Sequence, residues 1–318
     1  MVGRAGTTMR GLALGAVAAL SLTGPAMAAG PAGDCNRACL TEVMDRYLAA
    51  VAARTPAKAP LSASVKFTEN AVRLKPGQGL WATATGVGEA RHVMADPGSG
   101  QVAYLGTMVE QGVPVLAAIR LKAPAGRITE AETLIVRPSG GLFDPKAMNP
   151  QKGFLDVTPP ARRLSRAELV RIASLYFDGL EQDTGEIVPF DPACNRIENG
   201  VQTTNNPNRH STVGVVDIGL SSLGCKAGFN TRMYAYITAI DGRRWLVDEE
   251  HQTVLGLVRF VHDGTLTHTD VPGVGKVEFS AKRPFDVQMF EAFHVVDGKI
   301  REVAAVGSTL PYLQPSGW

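Results

Sequence analysis

The chain has 318 residues, of which 45% are hydrophobic and 19% are charged, so it is long and apolar enough to form two hydrophobic cores. Its 32 basic and 30 acidic residues nearly balance, with a formal net charge of +2. A balance this close, without a basic run, argues against nucleic acid or an anionic membrane surface as the partner.

The first 28 residues have the pattern of a secretory signal peptide. Arg4 and Arg10 supply a positive start, an apolar stretch of 14 residues follows from Gly11, and Ala26-Met27-Ala28 is a small-x-small cleavage site. A membrane anchor would need about 20 apolar residues and no such cleavage site. We therefore predict a periplasmic or secreted protein that has no membrane segment after cleavage.

The remaining sequence contains the same order of signals twice. Each copy begins with an amphipathic helix, CLTEVMDRYLAAVAA from Cys39 and LSRAELVRIASLYFDGL from Leu164. A short x-E-N-x-V element follows, within FTENAV from Phe67 and within RIENGV from Arg196. Each copy then closes with a strand, a turn built on G-[KR]-I and a last strand. Repeats of this length indicate duplicated domains rather than solenoid units.

The boundaries of the two copies are marked by composition. We place the first repeat at residues 29–137 and the second at residues 164–318. Residues 138–163 between them are rich in proline and glycine without a sustained period, which is typical of a linker. A second irregular stretch, residues 203–224, is longer than a structural connection requires, so it is a candidate rim or lid of a pocket.

Several segments with strand character follow each x-E-N element. The predicted strands begin at Gln101, Val113 and Arg127 in the first copy and at Met233, Thr253, Phe285 and Lys299 in the second. Helices followed by hairpin-connected strands favour an α+β class, in which a curved mixed or antiparallel sheet wraps over helices. Because several strands are apolar on both faces, we expect the two sheets to pack back to back as a pseudo-dimer within a monomeric chain.

Four cysteines in an exported protein suggest disulfides, and four allow three connectivities. Cys35 and Cys39 lie beside the first helix, while Cys194 and Cys225 both belong to the second copy. We favour one bridge within each copy. A zinc site is the weaker alternative, because none of the six histidines is at ligand spacing from a cysteine pair, and we predict no metal.

The order of helix, acidic element, further helix and long hairpins resembles the cone-shaped α+β domains of the nuclear transport factor 2-like superfamily, which includes ketosteroid isomerases and polyketide-cyclase relatives. More specifically, C-x-x-x-C-L-T from Cys35, FTEN from Phe67, G-L-W from Gly79, N-R-I-E-N-G-V-Q-T-T-N-N from Asn195 and the final P-S-G-W are similar to a two-repeat family of unknown function in fungi and bacteria. The resemblance implies a cone with an internal pocket in each repeat. It often implies a cofactor-free lyase, isomerase, dehydratase or hydrolase, although function must still be argued from the site.

Strand alternation nominates Glu291 as a catalytic carboxylate. Counted by twos from Phe285, one face of that strand carries large apolar side chains together with Glu291. Counted back from the G-[KR]-I turn, the matching position of the first copy is Ile119, which suggests that the second copy holds the working pocket. The alternative is that this face is solvated, or that Glu291 pairs with a neighbour such as Arg259.

Glu198 is the second candidate, with Arg196 and Asn199 beside it. Glu69 and Asn70 occupy the same place in the first copy, and a pair present in both copies is also explained by a structural role in the turn. In the functional alternative, Glu198 is a general base at the pocket mouth and Asn199 orients a substrate oxygen.

Most histidines are predicted to lie outside the pocket. His251, His262 and His268 lie in or near polar hairpin ends, so we expect them to be exposed. His294 and Gln288 fall on the strand face opposite the nominated carboxylate, towards the other sheet or water.

The motifs of phosphate-binding loops, dinucleotide-binding folds, nucleophile elbows and H-E-x-x-H metal sites do not occur in the sequence, so we expect no cofactor. The leading hypothesis is a lyase, dehydratase or isomerase that acts by carboxylate acid–base catalysis on a small, largely apolar ligand, aromatic or cyclic. Glu291 or Glu198 would move the proton, and Tyr176, Tyr236, Asn199 and Arg196 would contact the substrate. The alternatives are a non-catalytic binding protein with the same pocket and a structural pair of domains with filled cones.

Overall fold

The computed structural model describes residues 1–3, 35–138 and 141–318. The predicted signal peptide, apart from residues 1–3, and its cleavage site lie outside the described residues. Among the helices that the structure describes, none is long and apolar enough to cross a membrane.

From residue 35 the chain forms an α+β structure with two six-stranded mixed sheets and few helices. The α-helices are α1 Arg37–Ala52, α2 Leu80–Thr83, α3 Arg166–Glu181 and α4 Cys225–Asn230. The strands of the first sheet are β1 Leu61–Glu69, β2 Val72–Leu74, β3 Ala84–Asp96, β4 Gln101–Glu110, β5 Val113–Lys122 and β6 Ile128–Val136. The strands of the second sheet are β7 Phe190–Glu198, β8 Val201–Gln202, β9 Ala239–Asp248, β10 Thr253–His262, β13 Phe285–Val296 and β14 Lys299–Leu310, while β11 His268–Val271 and β12 Gly275–Glu278 form a separate hairpin.

The two sheets have the same strand order, β2-β1-β6-β5-β4-β3 and β8-β7-β14-β13-β10-β9. In each sheet the first long strand pairs in parallel with the last strand, and the other pairs are antiparallel. Glu69 and Ile119 are both paired with Thr133. Glu198 and Glu291 are both paired with Ala305. The register therefore places Ile119 and Glu291 at matching positions, as predicted from the turn.

One long helix packs against the inner face of each sheet. Asn36 accepts a hydrogen bond from the Cys39 amide at the start of α1, and Ser165 accepts one from the Glu168 amide at the start of α3, so both helices begin at a side-chain cap. The buried stripe of each helix repeats at three- and four-residue steps. Tyr47 of α1 and Tyr176 of α3 occupy the same place in these two stripes.

The outer faces of the two sheets pack against each other. Their shared apolar cluster includes Met94, Leu105, Leu116, Leu134 and Val136 from the first sheet and Leu246, Leu255, Phe290, Ala292 and Val306 from the second. The linker also contributes, because Phe154 is buried between His92 and His294. The second face of each strand is therefore apolar because it packs against the other sheet.

Two crossed ion pairs join the repeats. Arg37 at the start of α1 pairs with Asp248 at the end of β9, and Arg166 at the start of α3 pairs with Asp96 at the end of β3. Asp248 also accepts the amide of Ala95 at 3.1 Å, and Asp96 accepts the amide of Val247 at 2.9 Å. The same kind of contact is thus made from each helix start to the end of a strand in the other sheet.

The cysteine prediction is confirmed: Cys35 is bonded to Cys39 and Cys194 to Cys225. The strand predicted from Met233 is wrong, because residues 231–236 form turns and β9 begins at Ala239. Met233 is buried in a small cluster with the β11–β12 hairpin, so its apolar neighbours reflect burial in a loop. The remaining predicted strands are present to within a residue at their starts.

Candidate functional site

A cavity of about 540 Å³ lies at the inner face of the second sheet. Its polar wall consists of Arg196, Glu198, Asn199, Tyr234, Tyr236, Glu291, Ser308 and Thr309. Its apolar wall includes Leu180, Ile237, Phe260, Val287 and Met289. A cavity of this size, with an apolar wall and convergent polar groups, is typical of a small-molecule site.

Glu291 forms part of this wall and is only 1% exposed. Its Oε1 accepts a hydrogen bond of 2.8 Å from the Tyr176 hydroxyl, whereas Oε2 has no hydrogen-bond partner among the described residues. Burial raises the pKa of Glu291 to about 7, with Arg196 opposing the rise and Glu198 adding to it. Near neutral pH this carboxyl can therefore either donate or accept a proton.

Arg196 lies at the centre of the polar wall. Its guanidinium pairs with Glu198, and its Nη1 donates to the Tyr234 hydroxyl at 3.0 Å. The cation also lies over the rings of Tyr176, Phe229 and Tyr234, 5.2–5.7 Å from their centroids. Burial acts to lower the pKa of Arg196, but the carboxylate of Glu198 and the nearby phenols hold it well above its usual value.

The matching space of the first repeat is filled. Trp81 packs edge-on against Tyr47, with ring centroids 5.3 Å apart. The space that Trp81, Tyr47, Phe67 and Ile119 enclose has a volume of about 0 Å³. Phe67 pairs with Ala131 two positions before Thr133, so it occupies the place of Arg196. The open cavity and its charged groups therefore occur together in the second repeat.

The shared x-E-N element has a structural role in part. The side chain of Asn199 donates to the Gly307 carbonyl and accepts the Gly307 amide. Asn70 does the same with Ile135, so this asparagine joins strands in both copies. Asn199 also lines the cavity, and its contact with a substrate oxygen stays a prediction. Glu69 accepts the Leu80 amide at 2.7 Å, which makes it a structural acid of the first repeat.

Residues 203–224, the candidate rim or lid, are not among the described residues that line the cavity. Their contact with the site is the hydrogen bond of 3.0 Å from Thr203 to Glu198. The loop residues that line the cavity, Tyr234, Tyr236 and Ile237, lie further along the chain. The first repeat and the linker add Asn70, Ile135, Val136, Arg137, Gly141 and Leu142 at the mouth. Sequence reasoning missed Tyr234, although the Tyr-x-Tyr spacing with the predicted Tyr236 was a usable signal.

The histidine predictions are only partly confirmed. His268 is exposed, as predicted. The prediction for His262 is wrong, because this side chain is buried and forms a hydrogen bond with the Tyr236 carbonyl. His251 is half-buried beside Asp248. Gln288 and His294 do lie on the other face of β13: Gln288 donates to Glu132 of the first sheet, and His294 contacts the linker.

Within residues 1–3, 35–138 and 141–318, no three His, Cys, Asp or Glu side chains are grouped as metal ligands would be. The four predicted site groups that the structure does bring together are Glu291, Glu198, Arg196 and Tyr176. Tyr236 lines the same cavity.

Residues 162–307 match the sequence model of a domain of unknown function, DUF8021, which covers less than half of the chain. A comparison with curated proteins gave no match.

Three solved structures are similar to part of the chain. AusH from Aspergillus nidulans has 14% identity and a TM-score of 0.28, covering 45% of this chain and 86% of its own. The pinacolase BvnE from Penicillium brevicompactum has 10% identity and a TM-score of 0.25, covering 45% of this chain and 87% of its own. A protein named as a SnoaL-like polyketide cyclase from Jannaschia sp. CCS1 has 14% identity and a TM-score of 0.25, covering 48% of this chain and 91% of its own. TM-scores this low do not decide the fold or the function.

Proposed function

We propose that the second repeat is an acid–base enzyme that moves a proton on a small, largely apolar molecule, and that Glu291 carries this proton. The reaction belongs to the lyase, dehydratase or isomerase kind and needs no cofactor in this proposal. The observation that carries it is the buried Glu291 carboxyl, which has a pKa of about 7, one unpartnered oxygen and a place in the wall of a 540 Å³ cavity.

The contrast with the first repeat supports this proposal. An aliphatic residue, Ile119, fills the matching position without any cost of burying a charge. A buried carboxyl is expensive unless it is paired or protonated. Glu291 and the buried Arg196 beside it therefore call for an explanation beyond folding, and proton transfer provides one.

The surroundings of this site form part of the same proposal. We place the chain in the nuclear transport factor 2-like superfamily, with repeats at 29–137 and 164–318 joined by the linker 138–163. The crossed ion pairs support a pseudo-dimer within one monomeric chain. Export to the periplasm or the exterior, a small-molecule ligand, and the lack of nucleic-acid or membrane partners stay predictions from the sequence.

The test uses 5-nitrobenzisoxazole, a planar apolar probe. When a base removes its ring proton, the N–O bond breaks and a coloured cyanophenolate is released. The wild type should accelerate this reaction with a pH midpoint near 7, and Glu291→Gln should lose about 100- to 10,000-fold in rate. Tyr176→Phe should move the midpoint upward, because the Tyr176 hydrogen bond lowers the pKa of Glu291.

The variants also separate the alternatives. Full activity in Glu291→Gln would contradict the proposal, and loss in Glu198→Gln alone would place the base on β7 instead. If the wild type binds the probe without accelerating its reaction, the non-catalytic binding protein is the better explanation. The cavity of the second repeat argues against the filled-cone alternative there.

A further inference from the structure

We propose that Tyr234 donates a hydrogen bond to an oxygen of the substrate, and that Glu198 and Arg196 act behind it as positioning residues. This inference rests on the proposed function, because it assigns the binding end of the same cavity. It also gives Glu198 a role other than that of a base.

The first step is the chain of contacts. Glu198 holds the guanidinium of Arg196 in an ion pair, and Thr203 donates to the same carboxylate oxygen at 3.0 Å. From the other side of the guanidinium, Arg196 Nη1 donates to the hydroxyl oxygen of Tyr234 at 3.0 Å. The three side chains are therefore linked in the order Glu198, Arg196, Tyr234, and Tyr234 lies in the cavity wall.

The second step concerns the remaining hydrogen of Tyr234. Because its oxygen accepts from Arg196, its own O–H is left to donate, and no acceptor for it is found among the described residues. Tyr234 lines the cavity. A hydroxyl that accepts from a cation becomes a stronger donor, since successive hydrogen bonds polarise one another.

The third step is that Arg196 itself is incompletely bonded. Its Nε is buried and has no partner among the described residues, although the side chain is only 4% exposed. Among the described residues, the Tyr234 hydroxyl and Arg196 Nε thus have no acceptor, and Oε2 of Glu291 in the same region has no partner. An unpartnered buried polar atom is costly. A ligand with an acceptor oxygen would therefore give these donors the partner that they lack.

The described residues of the first repeat do not form the same series. Phe67 takes the place of Arg196, and Glu69 accepts the Leu80 amide at 2.7 Å and pairs at 3.7 Å with Arg137, which follows β6. The series Glu198–Arg196–Tyr234 is therefore not required to build the fold. It occurs in the repeat whose cone is open.

These groups define the class of substrate. One end carries an oxygen with strong acceptor character, a carbonyl or a phenol oxygen, and the remainder is apolar enough for walls such as Phe260 and Val287. Molecules of the same shape without that oxygen should bind more weakly, because Tyr234 and Arg196 would then stay unpaired.

The probe for this inference is 4-nitrophenol at pH 6, whose phenolate form is detected by its visible absorbance. The wild type should bind it and increase the phenolate fraction relative to free probe. Tyr234→Phe should weaken binding by on the order of 10- to 100-fold and remove the extra ionisation. Tyr312→Phe is the matched control, because Tyr312 is exposed and is not among the described residues that line the cavity.

The readouts distinguish positioning from folding. Glu198→Gln should reduce the phenolate fraction of the bound probe while thermal unfolding shows a folded protein. The inference is overturned if Tyr234→Phe keeps both affinity and ionisation, if Tyr312→Phe loses them equally, or if the wild type does not bind the probe. The proposed function does not stand or fall with these results, because Glu291 is tested separately by the benzisoxazole reaction.

Discussion

The two repeats share a scaffold and differ in their interiors. Both have the same strand order, the same capped helix and an inward tyrosine at the same helical position. In the first repeat that tyrosine packs on Trp81 next to Ile119. In the second, Tyr176 bonds to Glu291 beside a cavity. The scaffold therefore accommodates either a filled core or a polar pocket, and a few interior positions distinguish the two.

The difference also separates structural residues from functional ones. Asn70 and Asn199 make the same pair of backbone bonds, each to the strand beside it. Glu69 and Glu198 occupy matching positions but have different partners: Glu69 accepts the Leu80 amide and pairs with the exposed Arg137, whereas Glu198 pairs with the buried Arg196. A residue that is repeated with its contacts has a structural role, whereas one whose contacts change is a candidate for function.

The largest difference between the two repeats is expected when the matching residues Ile119 and Glu291 are exchanged. Ile119→Glu introduces a carboxyl into a filled site whose lining already includes the Glu69 carboxylate, so we expect a loss of roughly 3–5 kcal/mol in the free energy of unfolding. Glu291→Ile should change it by about 1–2 kcal/mol or less, because it removes a buried charge. Urea denaturation of both variants measures the difference. Equal costs would mean that the two interiors are equivalent.

The two disulfides should stabilise their repeats by different amounts. In a loop-entropy model Cys194–Cys225, which are 31 residues apart, stabilises by roughly 3.5 kcal/mol, and the short Cys35–Cys39 bridge by about 2 kcal/mol. The longer bridge also ties β7 to α4, whose Phe229 contacts Tyr176. Cys194→Ala/Cys225→Ala should therefore lower the melting temperature more than Cys35→Ala/Cys39→Ala.

Thiol titration gives the control for that experiment. The wild type, denatured without reductant, should show no free thiol. Four titratable thiols would remove the argument and reopen the metal alternative.

The pH dependence of stability should also differ between the interiors. Burial raises the pKa of Glu291 from 4.5 to about 7, so between these values the folded state binds its proton more tightly than the unfolded state. This contribution is complete below pH 4.5 and is lost as the pH rises through 7, a decrease of at most about 3 kcal/mol. Glu291→Gln should lack this decrease in denaturation measured from pH 5 to 8. The same slope in both proteins would contradict the assignment.

The crossed ion pairs should show the most symmetric effects. Asp96→Asn and Asp248→Asn each leave an arginine that is partly exposed, with 37% and 27% of its side chain accessible. We therefore expect each variant to cost about 2 kcal/mol, less than a fully buried pair. Similar losses in the two variants would support a two-fold relation between the repeats. A loss in only one would argue that the contacts are unrelated.

The sequence predicted the parts of this structure that follow a simple period. Alternation on β13 correctly placed Glu291 with the apolar inner residues and Gln288 on the opposite face. The capped helices were predicted because their apolar positions repeat every three or four residues.

Contacts between distant segments could not be predicted in this way. Trp81 fills the first cone, Arg137 reaches the mouth of the second cavity, and Tyr234 meets Arg196 across 38 positions. His262 was predicted to be exposed from its place near a hairpin end, yet it is buried because Tyr236 packs over it. Such pairings depend on loop paths, which leave no period in the sequence.

The most direct test of the central claim is a carbon-13 NMR titration of the glutamate carboxyl groups in the wild type and in Glu291→Gln. We expect one carboxyl of the wild type to titrate with a pKa near 7, and that signal should be missing from the variant while the others keep their positions. If every wild-type glutamate titrates near the ordinary value of 4.5, or if the signal near 7 persists in the variant, the second repeat does not hold the acid–base group assigned to it.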